Sequence, residues 1–328
     1  MDSWTTNLSS VFESAGSFIT DIEVAAEHNL VVTTDTLIED VHFPKNTPAH
    51  AIGYKSLAVN LSDLAAMGAT PHSCGLMLML PDYNEQWIEQ FVKGWHELAM
   101  QYRLPLSEIQ VQQSSRKVEA HVTAFGTLTT DQGLYRHSAQ VGDLIYVSGA
   151  LGEAAAGLNI ELNADPTSEP NRESKSIKQL VSRLRYPNPR VSLGQALNGI
   201  ANACLDVSDG LIADVGHIAE RSNVNVELLC DEIYLSASLQ NYCATSDNNF
   251  CALDYALAGG DDYELCFTVP PANITLLEKI VNSEQTHICC IGKIVSHRKK
   301  QQAENRVMIF DPDGKLFQPK INSYEHFS

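Results

Sequence analysis

Three short clusters of hydroxyl and carboxylate side chains stand out in this chain: Thr33-Thr34-Asp35, Asn60-Leu61-Ser62-Asp63 and Asp206-Val207-Ser208-Asp209-Gly210. Each lies at the end of an apolar run or inside one. Their oxygens are hard ligands of the kind Mg2+ prefers. Taken alone, Thr33 to Asp35 reads as a strand end whose side chains cap a turn. Three such clusters are more than turn chemistry supplies, and they point to a site rich in metal-binding oxygens.

The clusters need elements to hold them. Val31 to Phe43 (VVTTDTLIEDVHF) reads as a short β-branched strand that ends in its acid, with His42 beyond it. Residues 50–69 read as a helix apolar almost all round, and such a helix is buried. Asn60 and Asp63, three apart, share one face of it and need a cation or a basic side chain to be tolerated there. A strand over Cys74–Leu80, an amphipathic helix over Glu85–Tyr102 and strands near 108–112 and 118–128 follow. That order suggests an α+β or split βαβ domain, with a boundary near residue 138.

Beyond it, Gly142-Asp143 opens the strand LIYVSG, and the helix EAAAGLNIEL follows. The polar stretch 163–176 reads as a surface excursion. YPNPR (186–190) breaks one helix and opens the next, VSLGQALNGIANA. The strand ending at Asp206 leads into a helix starting near Asp209, with Leu211, Val215 and Ile218 on its apolar face. Asp209 or Ser208 is then a plausible N-cap. Gly259-Gly260-Asp261-Asp262 turns into a further strand, and Asp262 and Glu264 read as structural acids. Glu39, Asp40 and Asp214 read as solvated ones. A helix near 272–282, the strand HICCIGKIV and an aromatic tail with Tyr324 complete the chain.

Bulk composition narrows the function. A net charge of −18 over 328 residues argues against a nucleic-acid partner, which requires a basic patch. It is compatible with a small phosphorylated ligand if cations invert the local field. No apolar run approaches the ~20 residues of a membrane span. The eight cysteines form no CxxC, and the N-terminus lacks a secretory pattern, so the expectation is reduced thiols in a cytoplasmic protein. There is no P-loop, GxGxxG, HExxH or GxSxG. A nucleotide enzyme built this way binds phosphate through metal and backbone.

TTDTLIEDVHF, GYKSLAVNLSDLAAMGATP, GDLIYVSGALGEAAAGL, YPNPR, LDVSDGLIADVGHI, ALAGGDDYELCFTVP and YEHF occur here in one order over nearly the whole chain. Together they resemble the bacterial thiamine-monophosphate kinase family, of the aminoimidazole-ribonucleotide synthetase superfamily. The resemblance implies a two-domain α/β (α+β) fold: an N-terminal sheet domain (1–138) that dimerises, and a C-terminal α/β domain (139–328). It also implies ATP and several Mg2+ bound by both. By residue it implies metal roles for Asp21, Thr33, Thr34, Asp35, Asp63, Asp206 and Asp209. Ser208 and Arg136 would contact ATP. His42, Asp261 and Tyr324 would hold thiamine monophosphate; by itself His42 reads as satisfying a backbone group.

Two departures fall on the ATP side. The family's Gly-Asp-Asp before the first strand is matched here by Ile19-Thr20-Asp21. Its Gly-Gly-Asp-Thr loop is matched by Gln110-Val111-Gln112-Gln113, with Gln112 in place of the acid. Val resists backbone conformations that Gly allows, and an amide is a weaker Mg2+ partner than a carboxylate. The alternative expectation is therefore a non-catalytic paralogue that binds thiamine phosphate or a nucleotide.

Overall fold

A computed structural model describes residues 22–104, 106–114, 116–163, 174–246, 250–283, 286–297 and 306–321. The predicted Asp21 and Tyr324 lie outside these residues. Two compact units result, one within Met1–Leu64 and Thr70–Thr130, the other within Ala65–Ala69 and Asp131–Ser328.

The first unit is a four-stranded sheet ordered β1-β4-β2-β3, with β1 at His28–Ile38, β2 at Thr70–Leu80, β3 at Leu106–Gln113 and β4 at Glu119–Thr129. β1 and β2 pair antiparallel with β4, and β3 runs parallel to β2. The β-branched run in β1 fits a pleated half-buried surface. It runs on past Asp35 to Ile38, further than the sequence suggested, and Glu39 to Phe43 form a turn.

Helix α1 (Ala49–Ala66) is buried over most of its circumference, as its composition required. Helix α2 (Glu85–Gln101) is amphipathic, capped by Asn84, which accepts the Trp87 N–H at 3.1 Å, and it buries Ile88, Phe91, Trp95 and Leu98. The two helices touch backbone to backbone. A Cβ on Gly53 would lie 2.0 Å from the Phe91 carbonyl oxygen, and one on Gly94 would lie 1.9 Å from that of His50. This approach fixes the two helices against each other.

The second unit holds a six-stranded sheet ordered β10-β7-β9-β5-β8-β6. Its strands are β5 (Leu144–Ser148), β6 (Ala203–Val207), β7 (Asn225–Leu229), β8 (Glu264–Val269), β9 (Ile288–Val295) and β10 (Val307–Phe310). Only β10 and β7 pair in parallel. Ile145, Val147, Leu205, Val207, Val226, Leu228 and Ile291 of these strands pack with Leu211, Val215 and Ile218 in one core. Those last three belong to the helix after β6. Full burial of each such side chain contributes roughly 1.5–3 kcal/mol.

The helices of this unit are α3 (Glu153–Leu162), α4 (Lys175–Arg185), α5 (Val191–Ala196), α6 (Leu211–Arg221), α7 (Ala237–Thr245), α8 (Ala252–Ala258) and α9 (Ile274–Ser283). α5 is shorter than its sequence suggested, and β7, β10, α7 and α8 carried no pattern read above. No helix among the described residues is long and apolar enough to cross a membrane.

Candidate active site

Strand periodicity sorts the first cluster. Side chains alternate across a strand, so Thr33 and Asp35 share one face of β1 and Thr34 takes the other. On the first face the Thr33 hydroxyl donates to Asp63 Oδ2 from helix α1. Asp35 is pushed up to about 7, by burial first and then by the charge and hydrogen bond of Asp63. Two carboxylates held this close favour a shared proton. One turn before Asp63, Asn60 is fully buried. Its Nδ2 donates to the Ser56 carbonyl at 3.1 Å, and its Oδ1 has no hydrogen-bond partner among the described residues. The face thus gathers carboxylate, hydroxyl and amide oxygens, and of these the Asn60 oxygen lacks a donor among the described residues.

Thr34 stands apart from this group, its hydroxyl 2.9 Å from that of Thr123 on the opposite face. Gln112 is on that opposite face too. It aligns with Met79, which aligns with Glu119, which aligns with Ile38, two strand positions along from Thr36 and four from Thr34. Its side chain is exposed. Within this unit Gln112 therefore lies on the sheet face away from Asp35 and Asp63.

His42 closes the turn after β1. Its Nδ1 accepts the Ile38 N–H at 3.0 Å, and Lys55, a buried lysine of α1, reaches the His42 carbonyl oxygen at 3.5 Å. The bonded Nδ1 leaves the ring's proton on Nε2. Glu39, read above as solvated, is buried and accepts the Val118 N–H at 3.0 Å.

In the second unit β6 ends in Asp206 and Val207, and Ser208-Asp209-Gly210 lead into α6. Neither Ser208 nor Asp209 caps that helix; its N-cap is Gly210, with φ 112° and no side-chain bond. The capping group is Asp214, which reaches back to accept the N–H groups of Ser208, Asp209 and Gly210 at 3.0, 3.0 and 3.1 Å. Asp214 is buried, which corrects its reading as a solvated acid. Burial first and then the charge of Asp209 raise it to about 7, against the opposing pull of the three backbone bonds. With Asp214 in the capping position, the Asp209 carboxylate is not needed by the helix. Asp214→Ala, which orphans three donors, should lower stability by about 2–3 kcal/mol, read from urea midpoints, and weaken nucleotide binding by calorimetry.

Strand pairing brings a second loop to this one. Val207 pairs with Glu264, so the Gly259–Tyr263 turn lies beside Ser208. The Asp261 N–H donates to the Ser208 carbonyl and the Tyr263 N–H to that of Val207, each at 2.8 Å. The Tyr263 hydroxyl donates to Asp261 Oδ1 at 3.0 Å. Asp206, Ser208, Asp209 and Asp261 are thus collected at one end of β6 and β8. Arg136 is exposed, and its carbonyl accepts the Ser222 hydroxyl at 3.2 Å.

Asp262 and Glu264 are buried structural acids, as expected. Among the described residues no three His, Cys, Asp or Glu side chains converge to hold an ion by themselves. Any such ion would draw on hydroxyl, amide or substrate oxygens as well.

The chain matches two family models, the AIR synthase related protein N-terminal domain over residues 17–128 and its C-terminal domain over 140–302. It is 41% identical over 286 residues to thiamine-monophosphate kinase of Haemophilus influenzae, covering 87% of this chain and 84% of that one. Thiamine-monophosphate kinase of Stenotrophomonas maltophilia K279a superimposes with a TM-score of 0.79 at 40% identity, covering 90% and 89% of the two chains. AaThiL complexed with AMPPCP and TMP superimposes with a TM-score of 0.78 at 30% identity, covering 93% and 89%. With such identity sustained across both domains, the chain belongs to the thiamine-monophosphate kinase family of AIR synthase related proteins.

Proposed function

We propose that this protein phosphorylates thiamine monophosphate to thiamine diphosphate at the expense of ATP and with Mg2+, by direct in-line transfer. The observation that carries this reading is the Asp35–Asp63 pair with Thr33 and the orphaned Asn60 Oδ1 beside it. Crowded carboxylates beside a buried amide oxygen that has no donor among the described residues suit a small divalent cation. Asp21, Asp206 and Asp209 are the further metal-binding acids. When bound, Mg2+ supplies neutralisation of phosphate charge that a chain of net charge −18 does not offer.

The protein's own part is positioning. Ser208 and Arg136 orient the nucleotide. His42, Asp261 and Tyr324 hold thiamine monophosphate, and the Asp261 carboxylate fits the cationic, donor-bearing rings of that substrate better than its phosphate. A phosphate oxygen of the substrate then attacks the γ-phosphorus and ADP leaves. No covalent intermediate on the enzyme is needed. Free thiols at all eight cysteines accord with a cytoplasmic reaction.

Dimerisation is part of the proposal. The sheet face bearing Thr34 also carries Leu30, Val32 and Met77, all exposed, and β1 is an edge strand. Such a face suits a second copy of the chain. Val32→Asp should shift sedimentation from dimer to monomer; a wild-type monomer would sink this part.

The deciding assay couples thiamine diphosphate and ADP formation in the purified protein with Asp63→Asn as control. The sequence Gln110 to Gln113, without the glycines and acid of its relatives, favours a second reading as a binding paralogue. Folded protein that binds thiamine monophosphate by calorimetry and forms no product would establish that alternative.

A further inference from the structure

The turn that carries Asp261 is strained in a way its own sequence does not explain. Asp261 has φ 69° and Tyr263 has φ 51°. Asp tolerates the left-handed region; a bulky Tyr is found there only where the surroundings over-determine it. Both intervening anchors are visible. Asp262 points inward and accepts the Gly152 N–H at 2.6 Å and the Ala154 N–H at 3.4 Å. It thereby caps helix α3, whose own N-cap is a glycine.

Glu264, wholly buried, fixes the other end of the turn. Arg190 grips it with both arms of the fork, Nε to Oε2 and Nη2 to Oε1, each at 2.6 Å. Arg183 Nη2 donates to Oε1 at 2.8 Å and the Ser148 hydroxyl to Oε2 at 2.6 Å. Arg183 also meets the buried Glu153, which Gln179 and Ser236 hold in turn. A Cβ on Gly149 would lie 2.1 Å from Glu264 Oε1, so the backbone closes over the carboxylate.

Two buried glutamates gripped by two half-buried arginines at the root of one turn are a poor device for stability alone, since apolar residues of similar volume serve as well or better. Their fixed, bidentate geometry is well suited to specifying a conformation. We infer that Arg190, the arginine of YPNPR, is a positioning residue that acts through Glu264 to hold the strained turn and so presents the Asp261 carboxylate to thiamine monophosphate. The inference rests on the role given to Asp261 above. It extends that role to a motif that the sequence marked only as a helix break.

Arg190→Lys keeps the charge and loses the fork. By calorimetry with thiamine monophosphate, the dissociation constant should rise about tenfold, the scale expected when a binding group is misplaced by a fraction of an ångström. With AMPPCP it should stay within about twofold, because Asp214 holds the Ser208–Gly210 loop separately. In an Asp261→Ala background, Arg190→Lys should have no further effect on thiamine monophosphate.

Equal weakening of both ligands, or a full additive effect on Asp261→Ala, would overturn the inference and leave Arg190 a merely structural residue. Wild-type thiamine monophosphate affinity in Asp261→Ala would instead remove the role of Asp261, and the inference with it. If Arg190→Lys does not fold, Tyr263→Phe carries the test, since it deletes only the hydroxyl donated to Asp261. Thiamine monophosphate binding several-fold weaker supports the held turn, and unchanged binding refutes it.

Discussion

Replacing Asp63 by Asn is expected to make the metal-free protein more stable while removing most of its activity. The two effects share one cause. Asp35 and Asp63 are pressed together, and burial together with the Asp63 charge raises Asp35 to about 7. At pH 8 the wild-type fold must therefore carry two ionised, crowded carboxylates. The amide introduced by Asp63→Asn keeps an oxygen for the Thr33 hydroxyl and gains a donor toward Asp35, so the repulsion disappears. Allowing for the partial exposure of Asp35, the gain should be about 1 kcal/mol, seen in urea titration with EDTA present. Turnover should fall at least about 10²-fold, more than is typical for groups that only support a metal ligand.

The sign of the pH dependence follows. The folded state holds a proton on this pair at pH values where the unfolded chain, with Asp35 near 3.8, has lost it. The contribution to stability is complete below the unfolded value and is lost as pH rises through about 7. Metal-free wild type should accordingly lose stability relative to Asp63→Asn between pH 5 and pH 8 on this account. Mg2+ should restore it only in wild type, because a ligand that binds the native state alone stabilises by mass action. Parallel pH profiles of the two proteins, each indifferent to Mg2+, would reject the metal assignment at this pair.

Much of this arrangement could be read in the chain. The near-continuous apolar character of Ala49–Ala66 implied burial, and burial made Asn60 and Asp63 significant. Period two in β1 already puts the Thr34 side chain on the other face from those of Thr33 and Asp35. Asp214 carried a signal too. It sits three residues after Leu211 and four before Ile218, inside the apolar stripe of α6, where a solvated acid does not belong.

The remainder depended on pairing across long separations. Whether Gln112 faces Asp63 is decided by the register of β3 on β2 and β2 on β4. The grip of Arg190 on Glu264 spans 74 residues. Neither has a local signature, because hydrogen-bond register and buried ion pairing are properties of the assembled sheet. β7 and β10, five and four residues long, are too short for alternation to distinguish them from loop.

Gly260→Ala is the second substitution expected to act strongly, because it drives a wedge between the two loops of the second unit. A Cβ at Gly260 would lie 2.4 Å from the Ser208 carbonyl oxygen, the same oxygen that accepts the Asp261 N–H at 2.8 Å. That neighbour is backbone and cannot rotate away. Gly259 and Gly210 are as confined, with Ala155 Cβ at 2.5 Å and the Ala258 carbonyl at 2.8 Å from their added atoms. The Gly259-Gly260 turn must therefore separate from the Ser208–Gly210 loop. Overpacking of this kind costs about 1–3 kcal/mol. The larger effect falls on function under the proposed roles, in which Ser208 orients the nucleotide, Asp209 binds metal and Asp261 holds thiamine monophosphate. Both KM values should rise and kcat/KM should drop on the order of 10²-fold. Gly216→Ala in helix α6, where an added Cβ meets only Val307 Cγ2 at 3.9 Å, should leave activity intact and slightly raise stability. A Gly260→Ala protein that keeps both KM values would show that the contact of the loops through Ser208 is incidental to the site.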